Sequence, residues 1–386
     1  MQFGFGGKQM DSELFDEDHE NFRGIVREFV RQEVEPNLRR WDSERRIDRA
    51  TWRAAARQGI LGLPIPEQFG GGGATDYRFR VVVQYELARV GANALQSGFS
   101  TNDDIVVHYL LRQATPEQAA RWLPGFADGT SIGAIAMSEP AAGSDLRGIS
   151  TRAERTANGW RLNGSKTFIT SGIEADLVVV FARTDDSFTL FAVERGMAGF
   201  ERGRQLDKVG LHAQDTAELF FTDVELSDQQ VLGVVGGGLA ALKQSLPLER
   251  LGIAIAAQAS AEAVLGWTIS YVKERRAFGA RLADLQVIGH RLAHLHTAVE
   301  VSREYVHRCI REWNAGALTA IDAAKAKAWA TDLQGEVIDA GVQFHGGYGY
   351  MVEYPVARAY LDARIQRIYG GANEVMMEIV QRDLLR

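Results

Sequence analysis

The start of the chain repeats apolar residues at the spacing of an α-helix. Between positions 18 and 30 the apolar residues are Phe22, Ile25, Val26, Phe29 and Val30. Residues three and four apart share one face of a helix, so this spacing predicts an amphipathic helix that Pro36 disturbs near its end. Helical patterns continue to about Asp128, interrupted by four consecutive glycines at 70–73 that predict a loop. We therefore predict a helical N-terminal domain over residues 1–130.

Short β-branched and aromatic segments replace the helical pattern after about residue 130. They stand at positions 176–182, 188–193 and 217–224. Asn158-Gly159 and Asn163-Gly164, two dipeptides favoured in tight hairpin turns, lie near the start of this block. The block predicts an antiparallel sheet, which we expect to form a small β-barrel over residues 131–238.

Alanine-rich helical patterns return after the three glycines at 236–238 and continue to Arg386. Within them, Ile288, Leu292 and Leu295 repeat the spacing of one helix face. Long helices of this kind usually bury their apolar faces against one another. We therefore predict a helical bundle over residues 239–386, and an α+β protein whose three domains are helical, β and helical in that order.

Length and composition indicate a globular protein of two or three domains. The chain has 386 residues, of which 46% are hydrophobic and 24% charged, close to the average of soluble proteins. The formal net charge is −7 without any basic block, which disfavours a nucleic-acid partner. The apolar runs are shorter than the roughly 18 residues that a membrane helix needs, so we expect no membrane span.

Cysteine and histidine give no sign of a metal site. Cys309 is the single cysteine, which excludes an internal disulfide and a multi-cysteine metal site and fits a reducing compartment. His290 and His294 stand four apart on a predicted helix, but Arg291 occupies the place of the glutamate that a metalloprotease needs. Residues 1–14 contain no apolar segment flanked by positive charge, so we expect no targeting peptide and a cytoplasmic protein.

Glycine and small polar residues are concentrated in four clusters near the block junctions. Glycine supplies 40 of the 386 residues, against an average of about 7%. The clusters lie at 136–145, 168–172, 343–350 and 368–374. Such residues let a backbone approach a planar or phosphorylated ligand closely. Taken alone, the first cluster is explained better as an ordinary loop.

From about Asp18 to Arg386 the chain resembles the acyl-CoA dehydrogenase family, and most of all its long-chain branch. The matching elements stand at 136–145, 168–170, 208–221, 246–250, 274–279 and 343–374. Six such elements in one order are far more specific than any single one. The resemblance implies a helical N-terminal domain, a β middle domain and a C-terminal four-helix bundle, assembled as a homotetramer with non-covalent FAD at the domain junctions.

The resemblance also implies which residues bind FAD. Phe168 would cover the isoalloxazine ring, and Thr170 would contact its N5 edge. Arg275 would hold the pyrophosphate, which suits the planar guanidinium group. The full set of implied FAD-binding residues is Met137, Ser138, Gly143, Ser144, Phe168, Ile169, Thr170, Arg275, Phe278, Gln286, Gln343, Phe344, Gly346, Gly347, Gly371, Asn373 and Glu374.

Two positions are used for the catalytic base in this family. Many members carry a glutamate directly after the Ile-Tyr of the C-terminal motif, but this chain has Gly370 there. The long-chain and isovaleryl branches resemble each other in placing the glutamate in a Leu-x-Glu-Arg segment, which points to Glu249 here. The alternative is that Glu249 is an ordinary carboxylate at a helix N-terminus, whose pKa the macrodipole would lower. Desolvation by a bound acyl chain would instead raise that pKa.

The implied reaction is the α,β-dehydrogenation of an acyl-CoA thioester, a step of fatty-acid β-oxidation. Glu249 would remove the α-proton while the Gly370 N–H and a flavin hydroxyl stabilise the thioester oxygen. The β-hydrogen would leave as hydride to flavin N5, giving trans-2-enoyl-CoA, and electron-transferring flavoprotein would accept the electrons. Gly370 and Gly371 would leave space for a long or branched acyl chain. The residues expected at the substrate are Ser144, Arg250, Tyr369 and Gly370.

Two other functions stay open at this point. A flavin-dependent oxidase or monooxygenase on the same scaffold would use oxygen directly. A non-catalytic subunit of a hetero-oligomeric dehydrogenase would bind FAD without turning over acyl-CoA.

Overall fold

The computed structural model describes residues 14–386, and its first part contains seven α-helices. They are α1 (Glu17–Phe29), α2 (Leu38–Glu44), α3 (Arg49–Arg57), α4 (Arg78–Arg89), α5 (Asn93–Ser100), α6 (His108–Gln113) and α7 (Pro116–Ala127). Helix α1 is the one predicted from residue 18, and it continues into a π-helical turn, Val30–Val34, before Pro36. The expectation of no targeting peptide concerns residues that lie almost wholly outside the described ones.

A second π-helical turn separates α5 from α6 and fixes the direction of side chains near the candidate site. This turn, Thr101–Val107, contains the buried residues Asn102, Asp103 and Asp104. A π-turn winds the chain more widely than an α-helix, so residues after it face a direction that α-helical spacing does not predict. It brings Tyr109, at the start of α6, into the interior with no exposed surface.

The middle part of the chain is a sheet of eight strands. They are β1 (Gly133–Ala136), β2 (Arg152–Thr156), β3 (Gly159–Thr170), β4 (Leu177–Thr184), β5 (Ser187–Glu194), β6 (Phe200–Gln205), β7 (Thr216–Leu226) and β8 (Val231–Leu232). The strand order is β6-β7-β3-β2-β4-β5-β8, with β1 paired to β4. The predicted β domain is confirmed, but the closure of a barrel is not. Among the described residues, β6 and β8 are the strands at the two ends of the sheet.

The prediction of a wholly antiparallel sheet is wrong at two places. β1 pairs with β4 in parallel, from Gly133 opposite Leu177 to Ala136 opposite Val180. β2 also meets β4 in parallel, at Arg152 and Arg183. Long connections separate these strands in the chain, and a long connection permits parallel pairing where a two-residue turn does not.

The two turn dipeptides have different outcomes. Asn158-Gly159 forms the predicted hairpin, since Thr156 pairs with Gly159 across the β2–β3 connection. Asn163-Gly164 does not form a turn, because it lies within β3 at a shift of register against β7. Gly164 approaches the backbone of Thr151 so closely that an added Cβ would lie 2.6 Å from its Cα. The Asn163-Gly164 dipeptide therefore forms part of a β-bulge rather than a hairpin turn.

Long helices form the C-terminal part, as predicted. They are α8 (Gly238–Glu274), α9 (Gln286–Asn314), α10 (Ala320–His345), α11 (Pro355–Ala363) and α12 (Asn373–Leu384), with the short strands β9 (Arg276–Ala277) and β10 (Ala280–Arg281) after α8. Helix α10 packs against α8, α9 and α12, and α8 also packs against α4 of the N-terminal part. The domain limits at residues 130 and 238 stay predictions.

Helix α8 is long and apolar enough to cross a membrane by length and composition alone. Its most apolar 18-residue stretch is 67% buried within the fold. Leu251, Ala254 and Ile255 on this helix have no exposed surface and belong to the core shared with the N-terminal helices. This burial is typical of the central helix of a globular core.

Candidate active site

Glu249 lies on α8 and is buried in the interior. The helix begins at Gly238, so Glu249 stands about three turns from its N-terminus and the macrodipole does not explain its environment. The alternative of a helix-terminal carboxylate is therefore wrong. The residue is 5% exposed, and burial raises its pKa from 4.5 to about 7, against the smaller lowering effects of Tyr109 and Arg250.

Tyr109 is the direct hydrogen-bond partner of this carboxylate. Its hydroxyl donates to Oε1 of Glu249 over 3.1 Å, and the two residues are 140 positions apart in the chain. Burial and the neighbouring carboxylate raise the pKa of the Tyr109 phenol well above its usual value, which keeps the hydroxyl protonated as a donor. No pattern in the sequence pointed to Tyr109, because the π-turn before α6 determines where its side chain lies.

Arg250 connects α8, the helix that carries Glu249, to the glycines at 370–371 that precede α12. Its Nε donates to the carbonyl oxygen of Gly370 over 3.3 Å. Arg250 is 7% exposed, and burial lowers the pKa of its guanidinium group. The predicted substrate residues Arg250 and Gly370 are thus in contact, and Glu249 directly precedes Arg250 in the chain. Tyr369 precedes Gly370, and burial raises the pKa of its phenol.

Gly370 and Gly371 both have left-handed backbone conformations, with φ of +64° and +96°. A side chain at Gly370 would be strained, and its Cβ would clash with Cδ1 of Ile253 on α8. Ile253 Cδ1 thus occupies the position where a side chain at residue 370 would begin, and the expected space for an acyl chain beside these glycines stays a prediction. The same geometry disfavours a glutamate at this position.

The first glycine cluster is held by a buried ion pair. Glu139 accepts hydrogen bonds from the Ser150 N–H (2.6 Å), the Ser150 hydroxyl (2.7 Å), the Thr151 N–H (2.9 Å) and Lys166 Nζ (2.9 Å). Lys166 Nζ also donates to the Met137 carbonyl over 2.9 Å. Burial alone would raise the pKa of Glu139, but the bonds from Thr151, Ser150 and Lys166 hold it at about 2.

These contacts define the shape of the loop that carries four of the predicted FAD-binding residues. The Ser138 carbonyl accepts from the Thr167 N–H over 3.0 Å, which fastens the loop to β3. Gly143 and Ser144 are exposed, and Met137 and Ser138 are half-buried. The loop therefore offers backbone and hydroxyl groups at the surface of the sheet while its anchor is buried.

The end of β3 presents an aromatic ring outward. Phe168 is 70% exposed and has a φ of +59°, at a shift of register between β3 and β7. Positive φ is uncommon for an aromatic residue and often marks a functional position. Thr170 is half-buried, whereas the Ile169 side chain is 2% exposed and belongs to the core of the sheet. Of these three, Ile169 can meet a ligand only through its backbone.

A cleft of about 380 Å³ gathers the predicted residues of the pyrophosphate and adenine end. Its lining includes Arg275 beside the range 343–347. Gly346 and Gly347 have nothing within 4 Å of an added Cβ, so their backbone is open to an approaching group. Phe278, 96% exposed with a φ of +53°, and Gln286 are not among the residues that line this cleft.

Asn373 and Glu374, the first two residues of α12, are both predicted to bind FAD. The Asn373 side chain is 6% exposed and is hydrogen-bonded to α10 through Thr331 and Asp332. It secures the start of α12, so only its backbone is free to meet a cofactor. Glu374 is exposed. Within residues 14–386, no group of three or more histidine, cysteine, aspartate or glutamate side chains could hold a metal ion.

Three family models match the chain in sequence order. The N-terminal domain of acyl-CoA dehydrogenase matches residues 16–130, the middle domain 134–224 and the C-terminal domain 236–385. The mitochondrial long-chain specific acyl-CoA dehydrogenase of Sus scrofa is 43% identical over 379 residues, which cover 96% of this chain and 87% of that protein.

Solved structures share the fold over nearly the whole chain. An acyl-CoA dehydrogenase from Geobacillus kaustophilus is 42% identical with a TM-score of 0.93, covering 96% of this chain and 98% of that one. A glutaryl-CoA dehydrogenase from Mycobacterium smegmatis in complex with FADH2 is 26% identical with a TM-score of 0.92, covering 97% of this chain and 96% of that one.

Proposed function

This chain belongs to the acyl-CoA dehydrogenase family, and from that premise we propose that Glu249 is the base that removes the α-proton of an acyl-CoA thioester. Members of the family are flavin-dependent oxidoreductases that act on CH–CH bonds. The observation that carries the proposal is the buried Glu249 carboxylate, hydrogen-bonded to Tyr109, at a site where position 370 offers no carboxylate. The product would be a trans-2-enoyl-CoA.

The environment of Glu249 suits a general base at neutral pH. A carboxylate with an ordinary pKa is too weak a base to remove a proton next to a thioester efficiently. Burial raises the pKa of Glu249 to about 7, so its anion is a stronger base and is still populated at neutral pH. The Tyr109 hydroxyl holds one carboxylate oxygen and so restricts the direction of the other.

Backbone groups near Gly370 would stabilise the thioester oxygen as negative charge develops on it. An N–H donor fixed in a water-poor site is worth far more there than in water. Arg250 fixes the Gly370 carbonyl through its Nε, which limits rotation of the neighbouring peptide groups. We assign the Gly370 N–H to the thioester oxygen, together with a hydroxyl of the flavin ribityl chain.

The residues present fit FAD, the cofactor of the family. The cleft beside Arg275 combines a guanidinium group with the open backbone of Gly346 and Gly347, as a pyrophosphate requires. Phe168 supplies an exposed ring, and the loop held by Glu139 supplies backbone and hydroxyl donors. When bound, FAD supplies the acceptor for the β-hydrogen, which leaves the substrate as hydride.

We assign long-chain or branched acyl-CoA as the substrate class. The 43% identity to a long-chain specific acyl-CoA dehydrogenase supports the first of these. Electron-transferring flavoprotein as the electron acceptor, a homotetramer and a cytoplasmic location are the corresponding proposals for partner, assembly and compartment. The family resemblance of the sequence supports the acceptor and the homotetramer, whereas the location is supported by the single cysteine, which fits a reducing compartment.

Anaerobic bleaching of the bound flavin tests this function directly. A panel of acyl-CoA thioesters, short to long and straight or branched, should bleach the FAD-loaded wild type, with long or branched chains fastest. Glu249→Gln should bleach at least a hundredfold more slowly, because a positioned base typically contributes 10²–10⁴ in rate. Glu201→Gln, at an exposed position on β6, is the matched control and should behave as wild type.

Three results would contradict the proposal. Normal bleaching by Glu249→Gln would remove the base assignment. Hydrogen peroxide release during turnover would indicate an oxidase or monooxygenase. A flavin that no thioester bleaches when the chain is expressed alone would indicate a non-catalytic subunit.

A further inference from the structure

Lys327 is a buried lysine on α10 that the proposed reaction does not use. The residue has no exposed surface. Its Nζ donates to the Gly371 carbonyl and to Asn373 Oδ1, each over 2.8 Å. Among the ion pairs of residues 14–386, none involves Lys327. Burial lowers its pKa to about 8, and the nearby positive charge of Arg250 acts in the same direction.

The cost of this burial indicates that the ammonium group has a role beyond packing. Removing an ammonium group from water without a counter-ion has a large desolvation cost, and a hydrophobic side chain of the same length would pack without that cost. Two hydrogen bonds from a charged donor offset part of the penalty, because such bonds are roughly twice as strong as neutral ones. Both of these bonds end on the segment 371–373.

That segment needs an external support. Gly370 and Gly371 have positive φ, and glycine has more backbone freedom than any other residue. Arg250 on α8 holds the Gly370 carbonyl, and Lys327 on α10 holds the Gly371 carbonyl. Two buried cations on two different helices therefore fix two consecutive carbonyl groups. One of these cations is adjacent in the chain to Glu249.

We propose that Lys327 is a positioning residue that fixes the Gly370–Gly371 backbone relative to Glu249, so that the Gly370 N–H stays directed at the thioester oxygen. This inference rests on the proposed function, since it assumes that a thioester binds beside Glu249. Lys327 itself does not touch the substrate in this account. It acts through the Gly371 carbonyl, while Asn373 connects the same ammonium group to the start of α12.

Asn373 and Thr331 supply the matched control. Asn373 Nδ2 donates to the Thr331 hydroxyl over 2.9 Å, and Thr331 lies one turn beyond Lys327 on α10. Thr331 contacts Asn373 but not the glycine carbonyls, so Thr331→Val loosens α12 without removing the support of Gly371. A residue that matters only for stability would give the same result in both variants.

A thioester whose β-carbon is replaced by sulfur separates the two chemical steps. It has an acidic α-proton but no β-hydrogen to transfer, so its titration on the FAD-loaded enzyme, followed by long-wavelength absorbance, measures stabilisation of the enolate oxygen alone. Lys327→Met should raise the apparent pKa of the bound α-proton by about one unit, which is a tenfold loss. Turnover should fall by about tenfold, with KM changed less than threefold. Thr331→Val should leave the α-proton pKa as in wild type.

An unchanged α-proton pKa and unchanged turnover in Lys327→Met would overturn the inference, as would an equal shift in Thr331→Val. If Lys327→Met does not fold, Lys327→Gln carries the test, because the amide NH2 keeps donor capacity but loses the charge and should give a smaller shift in the same direction. Normal turnover by Glu249→Gln would instead refute the proposed function, so the two failures are distinguishable.

Discussion

Glu139 and Glu249 are two buried glutamates in two regions of the molecule, and their environments are opposite. Glu139 lies in the loop between β1 and β2 and is 4% exposed, while Glu249 lies on α8 and is 5% exposed. Burial raises the pKa of both carboxyl groups, yet the resulting pKa is about 2 for Glu139 and about 7 for Glu249. Burial alone therefore does not decide which of them can act as a base.

The hydrogen bonds to each carboxylate account for the difference. Glu139 accepts bonds from Ser150, Thr151 and Lys166, and donors of this kind stabilise the ionised form. Glu249 accepts one bond, from Tyr109, and the Nε of its neighbour Arg250 is bonded to Gly370 instead. A carboxylate with many donors is a structural anchor, whereas one with few donors retains the affinity for a proton that catalysis needs.

The largest expected effect is that of removing Lys166, the cation that is paired with Glu139. Lys166→Met should lower the free energy of unfolding by about 3–5 kcal/mol, because it leaves the buried charge of Glu139 without its counter-ion. It should also weaken FAD retention, since the Met137 carbonyl loses its donor. Urea unfolding and flavin content measure both effects.

The double variant Glu139→Gln/Lys166→Met is the control for that prediction. It removes both charges, so it should recover a large part of the lost stability. A Lys166→Met protein with the wild-type unfolding midpoint would show that the pair does not anchor the loop.

The second prediction is that Glu249→Gln makes the protein more stable at alkaline pH. Because the folded-state pKa of about 7 lies above the ordinary 4.5, the folded state binds the proton more tightly, and the stability that this provides is lost as pH rises through 7. Glutamine avoids the buried charge, so the variant should exceed wild type by up to about 3 kcal/mol at pH 8. At pH 4, below the ordinary pKa of 4.5, the difference should nearly vanish. Thermal unfolding at both pH values checks this, and a variant less stable at pH 8 would contradict it.

The smallest expected effect is that of Tyr109→Phe, which deletes only the hydroxyl at the base. The bond from Tyr109 favours the ionised form of Glu249, so its loss should raise the pKa of the base further above 7. Flavin reduction at pH 7 should slow by about tenfold and recover at pH 9. Stopped-flow reduction rates against pH measure the shift. A slower rate with an unmoved pH profile would assign Tyr109 to packing instead.

Sequence reasoning predicted the order of domains because periodicity reports local structure. The helical spacing around Phe29 and the β-branched run at 176–182 each depend on nearby residues only. Glu249 was reached through family resemblance, helped by the glycine at position 370. The parallel pairing of β1 with β4 was missed, because it depends on where a distant strand enters the sheet.

The contacts that determine the environment of Glu249 could not be predicted from the sequence either, because they also depend on distant parts of the chain. Tyr109 reaches Glu249 only because a π-turn redirects α6, and no local pattern announced that turn. Lys327 stands in an alanine-rich helix, where a lysine is usually solvated, and its burial depends on packing between α10 and the segment after Gly370. The Asn163-Gly164 dipeptide has the composition of a turn, yet the pairing of β3 with β7 makes it a bulge.

The pH dependence of flavin reduction in a single anaerobic turnover tests the central claim, that Glu249 is a base with a raised pKa. With a saturating long-chain acyl-CoA and the FAD-loaded wild type, the rate should rise about tenfold per pH unit below the pKa of the base and level off above it. The midpoint should lie near 7 or higher, and the same titration should be absent in Glu249→Gln. A rate that is flat from pH 5 to pH 9, or a profile that persists in Glu249→Gln, would contradict the account.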